Sequence, residues 1–412
     1  MKLSKLATAL MISAAFAGVV GKTALAATNS HKLLVWEDIK KSSGIADAVK
    51  AFEQKYSVKV NVLEMPFAQQ IEKLRLDGPA GIGPDVLVIP NDQVGGAVIQ
   101  GLISKLNVTP KYLSQYTTPA VNALNYKNAQ YGIPKAVESI VMFYNKKMVN
   151  HPPKTLSEIY KLSEKERKEG KYGLLAKFDQ VYYAYGVMAG YGGYIFGKNA
   201  DGSFNFNDIG LNNKGSIQAV KLIKKYFKKG IFPSGIIGST GLNAIDSMFT
   251  EQKAAIVFNG PWAFEPYKNA GVDYGVAPLP LLSNGKHMKS LLGVKGYVVS
   301  SYSKNKELAL QFIKFINKTK YEKIRFNKTG EIPALKSLLK DPDFTKNKHA
   351  IAVAEQAKYA TPMPNVPEMQ TIWTPINSAL QLVATGKQKV KPALDTAVSN
   401  IKMQIEVTHA EQ

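Results

Sequence analysis

Residues 32–90 read KLLVWEDIKKSSGIADAVKAFEQKYSVKVNVLEMPFAQQIEKLRLDGPAGIGPDVLVIP, and their periodicities set the architecture. Lys32 to Trp36 has the apolar run of a buried strand, and Ile45, Ala48, Val49 and Phe52 recur at the i, i+3, i+4, i+7 spacing of an amphipathic helix. Val58, Val60 and Val62 alternate as a second strand, and Ile71 and Leu74 mark another short helix. Gly81-Ile82-Gly83-Pro84 stops the chain before the apolar strand Val86 to Ile89. Strand, helix, strand, helix, strand predicts an α/β fold built on a doubly wound parallel sheet. Ligands of such sheets bind beyond the carboxyl ends of the strands, so Trp36 to Lys41 and Pro90 to Gln93 are predicted to border a site.

Outward from that stretch the pattern recurs in different material. Ile140 to Tyr144 is a further apolar strand, and Thr155-Leu156-Ser157-Glu158 fits a capping box that opens a helix after Pro152-Pro153. Tyr172 to Leu175, a long Tyr- and Gly-rich segment to Tyr194, a lysine-rich helix around Ala219 to Lys229 and the strand Ala255 to Phe258 predict a second α/β unit. There is neither a short fixed repeat nor a low-complexity linker between the halves. Two lobes whose chain crosses between them more than once account for the missing linker.

The opening residues bear on localisation. Lys2 and Lys5 precede an uncharged apolar stretch from Leu6 to Val20 and the small-x-small pattern Ala24-Leu25-Ala26, which predicts a cleaved secretory signal over residues 1–26 and a mature start at Ala27. The roughly 390 residues that remain suffice for one or two ordinary cores. The chain has no cysteine, which excludes disulfides and thiolate metal sites and predicts an exported protein without a lipid anchor.

The formal net charge is +22, and loss of Lys2, Lys5 and Lys22 with the signal leaves +19. The lysines are scattered or sit in short helical clusters such as Lys221 to Lys229, with no recognisable nucleic-acid module, so nucleic acid is not expected as a partner. Electrostatic retention on an anionic cell wall or membrane surface is the expectation for the excess charge.

Several motifs resolve to bland readings. Gly192 to Asn199 nearly matches a phosphate-binding loop, but Asn199 lacks the hydroxyl that holds magnesium, so a glycine-rich turn is predicted. Asp201-Gly202-Ser203 opens like a calcium loop, yet Phe206 and Asn212 stand where glycine and a bidentate glutamate are needed, so a surface hairpin is predicted. His31, His151, His287, His349 and His409 never approach metal-ligand spacing, and no Gly-x-Ser-x-Gly elbow occurs. No cofactor or metal is expected.

The tryptophans are more informative. Trp262 lies in Asn259-Gly260-Pro261-Trp262 and Trp373 lies downstream of Met363-Pro364-Asn365-Val366-Pro367. A tryptophan face matches the C–H side of a pyranose, although an aromatic after Gly-Pro is also a common core plug. Trp36, ending an apolar strand, is assigned to the core. Asp92 and Glu138 are suited either to accepting hydrogen bonds from sugar hydroxyls or to acting as the carboxylate pair of a glycosidase, which stands about 5 to 10 Å apart.

The ordered series Leu34-Val35-Trp36, Phe52-Glu53, Val58-Lys59-Val60, Gly83-Pro84-Asp85-Val86, Asn91-Asp92, Gly95-Gly96, Gly101-Leu102, Tyr131-Gly132-Ile133-Pro134, Ala136-Val137-Glu138, Tyr144-Asn145-Lys146, Pro152 to Thr155, Asn259 to Trp262 and Met363 to Pro367 with Trp373 resembles the maltose/maltodextrin-binding proteins of bacterial ABC sugar importers. The resemblance covers essentially the whole mature chain. It implies a two-lobe periplasmic-binding-protein-like α/β fold with a hinge and an interlobe ligand cleft. Lobe 1 would comprise 27–136 plus about 296–346, and lobe 2 would comprise 137–295 plus about 347–412. Crossings are implied near Val137, near Gly293 to Gly296 and near Lys346 to Ala350.

By the same resemblance Lys41, Asp92, Glu138, Trp262 and Trp373 stand at ligand-contacting positions, and Tyr182 matches an aromatic that stacks on a glucosyl ring. Departures surround them: Ile89 replaces an aromatic, Gln93 and Asn377 replace basic residues, and Gln180, beside Asp179, replaces a glutamate. Lys40 stands where an acid is expected, and Glu37 or Asp38 is close enough to substitute. The implied function is capture of maltodextrin or maltose-type α-gluco-oligosaccharides by a non-enzymatic, monomeric binding protein that delivers them to membrane permease subunits. Retuning toward another oligosaccharide, a secreted glycosidase and a basic surface adhesin are the alternatives.

Overall fold

The strands that position the site are, in chain order, β1 (Lys32–Glu37), β2 (Lys59–Glu64), β3 (Val86–Pro90), β4 (Gly132–Glu138), β5 (Val141–Asn145), β6 (Tyr172–Leu175), β7 (Ala254–Asn259), β8 (Tyr274–Ala277), β9 (Leu291–Val299) and β10 (Thr361–Pro362). The computed structural model describes residues 32–410, so the signal segment 1–26 and the start at Ala27 lie outside the described residues.

The first sheet has the order β10-β9-β3-β1-β2, with β4 also paired to β9. β1 runs parallel to β2, with Leu33 opposite Val60 and Val35 opposite Val62, and parallel to β3. The helices Ala46–Tyr56 and Phe67–Asp77 are the crossovers. Their apolar stripes pack as the spacing requires: Phe52 is buried, with its ring 5.1 Å from Phe312 and 5.4 Å from Phe315. Gly83-Pro84-Asp85 serves the sheet itself, because the Asp85 carboxylate accepts from the Leu34 amide at 2.8 Å and the Ser303 hydroxyl at 2.6 Å.

The sheet is not wholly parallel. β9 runs antiparallel to both β3 and β4, because the chain leaves this lobe along β4 and re-enters it along β9 after building the second lobe. All nine residues of β9 are buried, so the strand reads as an apolar run broken only by Lys295 and two glycines.

The second sheet has the order β8-β5-β7-β6, with β7 antiparallel to β5 and parallel to β6. Thr155 and Glu158 form the reciprocal capping box at the start of the helix Leu156–Lys168. Gly197–Lys198 and Phe204–Asn205 pair as a hairpin around Asp201. The Tyr- and Gly-rich segment, for which the sequence offers no periodicity, contains the helix Val181–Gly190, and every residue of that helix except Tyr182 is buried. A helix covered on all sides has no polar face to reveal it. Gly186 is required there, since a Cβ would lie 2.3 Å from the Lys289 carbonyl oxygen.

Two hydrophobic cores result, one centred on β1, β3 and β9, the other on β5, β7 and the helices of the second lobe. The chain passes between them on the paired strands β4 and β9, with Glu138 opposite Gly293 and Ala136 opposite Lys295. A further passage lies between Leu338, in the first core, and Phe344, in the second.

Candidate ligand-binding cleft

A cleft of about 1000 Å³ opens between the lobes, and Asp38, Lys41, Asp92, Glu138, Gln180, Tyr182, Trp262 and Trp373 all line it. It sits beyond the carboxyl ends of β1 and β3, where a doubly wound sheet places its ligands. Its size suits an extended small molecule rather than an ion.

One wall is aromatic. The Tyr182 ring lies 6.3 Å from Trp262 and 6.4 Å from Trp373, tilted 42° and 51° to them. The turn Asn259-Gly260-Pro261-Trp262 is built to hold its tryptophan. Asn259, at the end of β7, donates to Asp246 and to the Tyr267 hydroxyl, both at 2.9 Å, and accepts from the Gly260 amide. Pro261 then starts a short 3-10 turn, and Trp262 folds back so closely that a Cβ on Gly260 would lie 2.2 Å from its ring. Burial pushes the Asp246 carboxyl up to about 6, against the lowering effect of its Tyr267 and Asn259 hydrogen bonds.

The rest of the lining carries the polar groups. Lys295 of β9 reaches Asp38 and Glu138, each at 3.0 Å, and stands 4.0 Å over the Phe67 ring. Burial alone would lower the Lys295 pKa, but Glu138 and Asp38 outweigh it and hold the ammonium above the ordinary lysine value. Lys41 donates to the Thr329 carbonyl at 2.9 Å, and burial lowers its pKa. Asp92 accepts from the Gln370 side-chain amide at 3.0 Å. Burial raises its pKa, against hydrogen bonds from Gln370 and Trp373. Since Asp92 follows β3 and Gln370 opens the helix Gln370–Ala384, this contact links the lobes beside the aromatic wall.

Glu37 and Asp179 do not take the sites predicted for them, because both are fully buried away from the cleft. Glu37 accepts from the Tyr297 hydroxyl at 2.7 Å and pairs with Lys135 at 3.4 Å beneath the polar wall. Of the two acids near Lys40, therefore, only Asp38 faces the cleft. Asp179 pairs with Lys177 and accepts from the Gly238 amide at 2.9 Å, fixing the loop before the Tyr182 helix. Asn377, in place of a basic residue, accepts from the Val181 amide at 2.7 Å and so holds the start of the same helix. Ile89 is buried in the sheet, whereas Gln93 lines the cleft.

Lys295, Phe67, Gly293 and Gln370 also line the cleft, although the sequence marks none of them as a ligand contact. A lysine inside the apolar run Leu291 to Val299 is the one signal that pointed to the first of them. Gly293 faces the aromatic wall: a Cβ there would lie 3.8 Å from the Tyr182 hydroxyl.

The chain matches the bacterial extracellular solute-binding protein family over residues 47–352. It is 50% identical to the galactooligosaccharide-binding protein of Bacillus subtilis (strain 168), with 100% of both chains covered. It is 37% identical to the maltodextrin-binding protein MdxE of the same strain, over 86% of this chain and 85% of that one. The crystal structure of MalX from Streptococcus pneumoniae in complex with maltopentaose aligns with a TM-score of 0.84 at 32% identity, covering 90% of this chain and 100% of that one.

Proposed function

The chain belongs to the bacterial extracellular solute-binding proteins, and from that premise we propose that it captures an oligosaccharide in its cleft and delivers it to the membrane subunits of an ABC importer. The observation that carries this reading is the pairing of walls. Three clustered aromatic rings offer the flat apolar area that sugar rings cover, and the carboxylates and ammonium groups that line the same cleft offer hydrogen bonds to hydroxyls.

A galactooligosaccharide is the favoured cargo. The full-length relative of that specificity is 50% identical, and Lys40, Ile89, Gln93, Gln180 and Asn377 all depart from the maltodextrin pattern. Maltodextrin is the second reading, supported by the MdxE relative and the likeness to the maltopentaose complex. Loss of a single buried hydrogen-bond partner costs roughly 1 to 3 kcal/mol, enough to move preference from one sugar to another.

Hinge closure around ligand is known for binding proteins of this architecture. The moving units proposed here are the sequence-derived 27–136 with about 296–346, and 137–295 with about 347–412, with the last crossing drawn back to between Leu338 and Phe344, and the sugar favours closure through its stronger contacts in the closed state. The ligand contacts are proposed to be Asp38, Lys41, Asp92, Glu138, Gln180, Tyr182, Trp262 and Trp373. No catalysis is proposed, since the family the chain belongs to is one of solute-binding proteins. The protein is proposed to act as a monomer at the outer cell surface, held by its positive charge rather than by an acylated cysteine.

Isothermal titration with a ladder of galactooligosaccharides beside a ladder of linear maltodextrins tests the cargo. Saturable binding that is tighter for the galactosyl series supports the first reading, and tighter maltodextrin binding supports the second. Absence of heat with either series would remove both.

A further inference from the structure

One helix gathers a cluster of the exposed charge. The helix Lys214–Lys228 and its cap Lys229 carry Lys214, Lys221, Lys224, Lys225, Lys228 and Lys229 without one acidic residue. The apolar stripe of that helix, Ala219, Val220, Ile223 and Tyr226, is buried in the second lobe, and Lys214, Gln218, Lys221, Lys225 and Lys228 form the exposed outer face. Two other segments add charge at its edges. Lys224 donates to the Gln388 carbonyl at 3.2 Å, which sets the turn bearing exposed Lys387 and Lys389 beside the helix. The Arg167 guanidinium lies 3.7 Å from where a Cβ on Gly230 would be, just past the helix end.

Some lysines elsewhere on the surface are paired, whereas others, such as Lys111, Lys306, Lys340 and Lys358, are exposed singly rather than in a cluster. Lys73, Lys146, Lys323, Lys328 and Lys391 each sit on a carboxylate, at 2.7, 2.9, 2.9, 3.0 and 2.6 Å. On this helix Lys221 and Lys225, Lys224 and Lys228, and Lys225 and Lys229 stand four residues apart with like charge, an arrangement that weakens a helix and that a covering anion would relieve, and the one aromatic contact among them is Lys225 at 4.2 Å over the Tyr160 ring.

Resting on the reading of an exported protein held at the cell surface by charge, we propose that this face docks on a phosphodiester polyanion of the cell envelope. Charge complementarity supplies the attraction. An anionic lipid surface fits less well, because helices that lie in a bilayer interface present an apolar face to it, and here that face is already covered by the lobe. The cleft is left free to bind sugar and close.

The test uses the full mature chain and purified cell-wall fragments carrying their phosphodiester polymer. The patch variant is K221Q/K225Q/K228Q/K229Q. The control, K111Q/K306Q/K340Q/K358Q, removes the same charge from exposed lysines outside the patch. Wild-type protein is expected to bind the fragments at low ionic strength and to elute at high salt. The patch variant should bind at least about tenfold more weakly, and the control within about twofold of wild type.

Equal losses in the two variants would overturn the proposal, as would retention that survives high salt or the chemical removal of the phosphate polymer. Tighter binding to anionic vesicles or to nucleic acid than to the wall would overturn it too. Oligosaccharide titrations on the same three preparations keep the readings apart. A sugar-binding failure in wild type counts against the transport function alone, and unchanged sugar affinity in the patch variant shows that its fold is intact.

Discussion

The two walls of the cleft solve different problems with different materials. The second lobe contributes Tyr182, Trp262 and Trp373, whose ring centroids cluster within 6.4 Å of Tyr182. The first lobe and the hinge contribute Asp38, Lys41, Asp92, Glu138 and Lys295, which are held by ion pairs and hydrogen bonds. Flat aromatic area gains affinity from any sugar ring that covers it, and so does little to choose among sugars. Charged partners discriminate, because a hydroxyl in the wrong place leaves one of them unsatisfied. Specificity in this molecule should therefore be read from the polar wall and gross affinity from the aromatic one.

The largest expected break in that division comes from Lys295→Met. Asp38 and Glu138 would then face each other without the ammonium that joins them, and removal of one partner from a buried ion pair costs about 3 to 5 kcal/mol. Chemical denaturation should show a loss of that size, with partial recovery in Lys295→Arg. An unchanged midpoint would mean that the polar wall is not held by this residue.

Trp262→Ala comes next. Loss of a central aromatic anchor should weaken oligosaccharide binding by about 2 to 3 kcal/mol, roughly 30- to 150-fold, for every sugar that binds. Asp38→Asn should instead change the ranking among sugars. Titration calorimetry separates the two patterns, and a selective effect of Trp262→Ala would invert the assignment of roles.

A smaller effect concerns the support of the aromatic wall. Asp246, which holds Asn259 beneath Trp262, has its carboxyl raised from 3.8 to about 6 in the folded protein. Protonation thus favours the fold: this contribution is fully present below the unfolded pKa and is lost as pH rises through about 6. Between about pH 4 and 6 the thermal midpoint of wild type should therefore fall relative to that of Asp246→Asn, with a constant difference at higher pH. A difference that stays flat across the window would show that the carboxyl is not raised.

The smallest effect is reserved for Gly293→Ala, whose methyl group would meet the Tyr182 hydroxyl at an ordinary 3.8 Å. Stability should change by no more than about 0.5 kcal/mol. Affinity should change by less than about twofold, and a large loss would show that the walls approach more closely around the ligand than they do here.

Much of this was legible in the chain because periodicity and turn chemistry are local. The alternations of residues 32–90 placed five elements in order, and the Thr155 capping box and the strand Tyr172–Leu175 stand where sequence put them. The antiparallel entry of β9 was not legible, since it follows from the path of the chain through a second lobe rather than from its own residues. The helix carrying Tyr182 was missed because burial on every side erases amphipathic spacing.

For the site, residue type was readable and orientation was not. Glu37 and Asp38 are adjacent acids at the end of one strand, yet Glu37 points to Tyr297 beneath the wall while Asp38 faces the cleft. Asp179 likewise looked suited to a ligand until Lys177 and the Gly238 amide claimed it. Successive side chains of an extended chain turn to opposite faces, and only the register of the surrounding sheet decides which of them is the cleft.

The division of labour between the walls is tested most directly by the structure of a crystalline complex with the tightest-binding oligosaccharide. Sugar rings are expected to lie against Tyr182, Trp262 and Trp373, with hydroxyl edges turned to Asp38, Asp92, Glu138 and Lys295. Sugar hydroxyls turned toward the tryptophans, or a ligand bound outside the interlobe cleft, would contradict it.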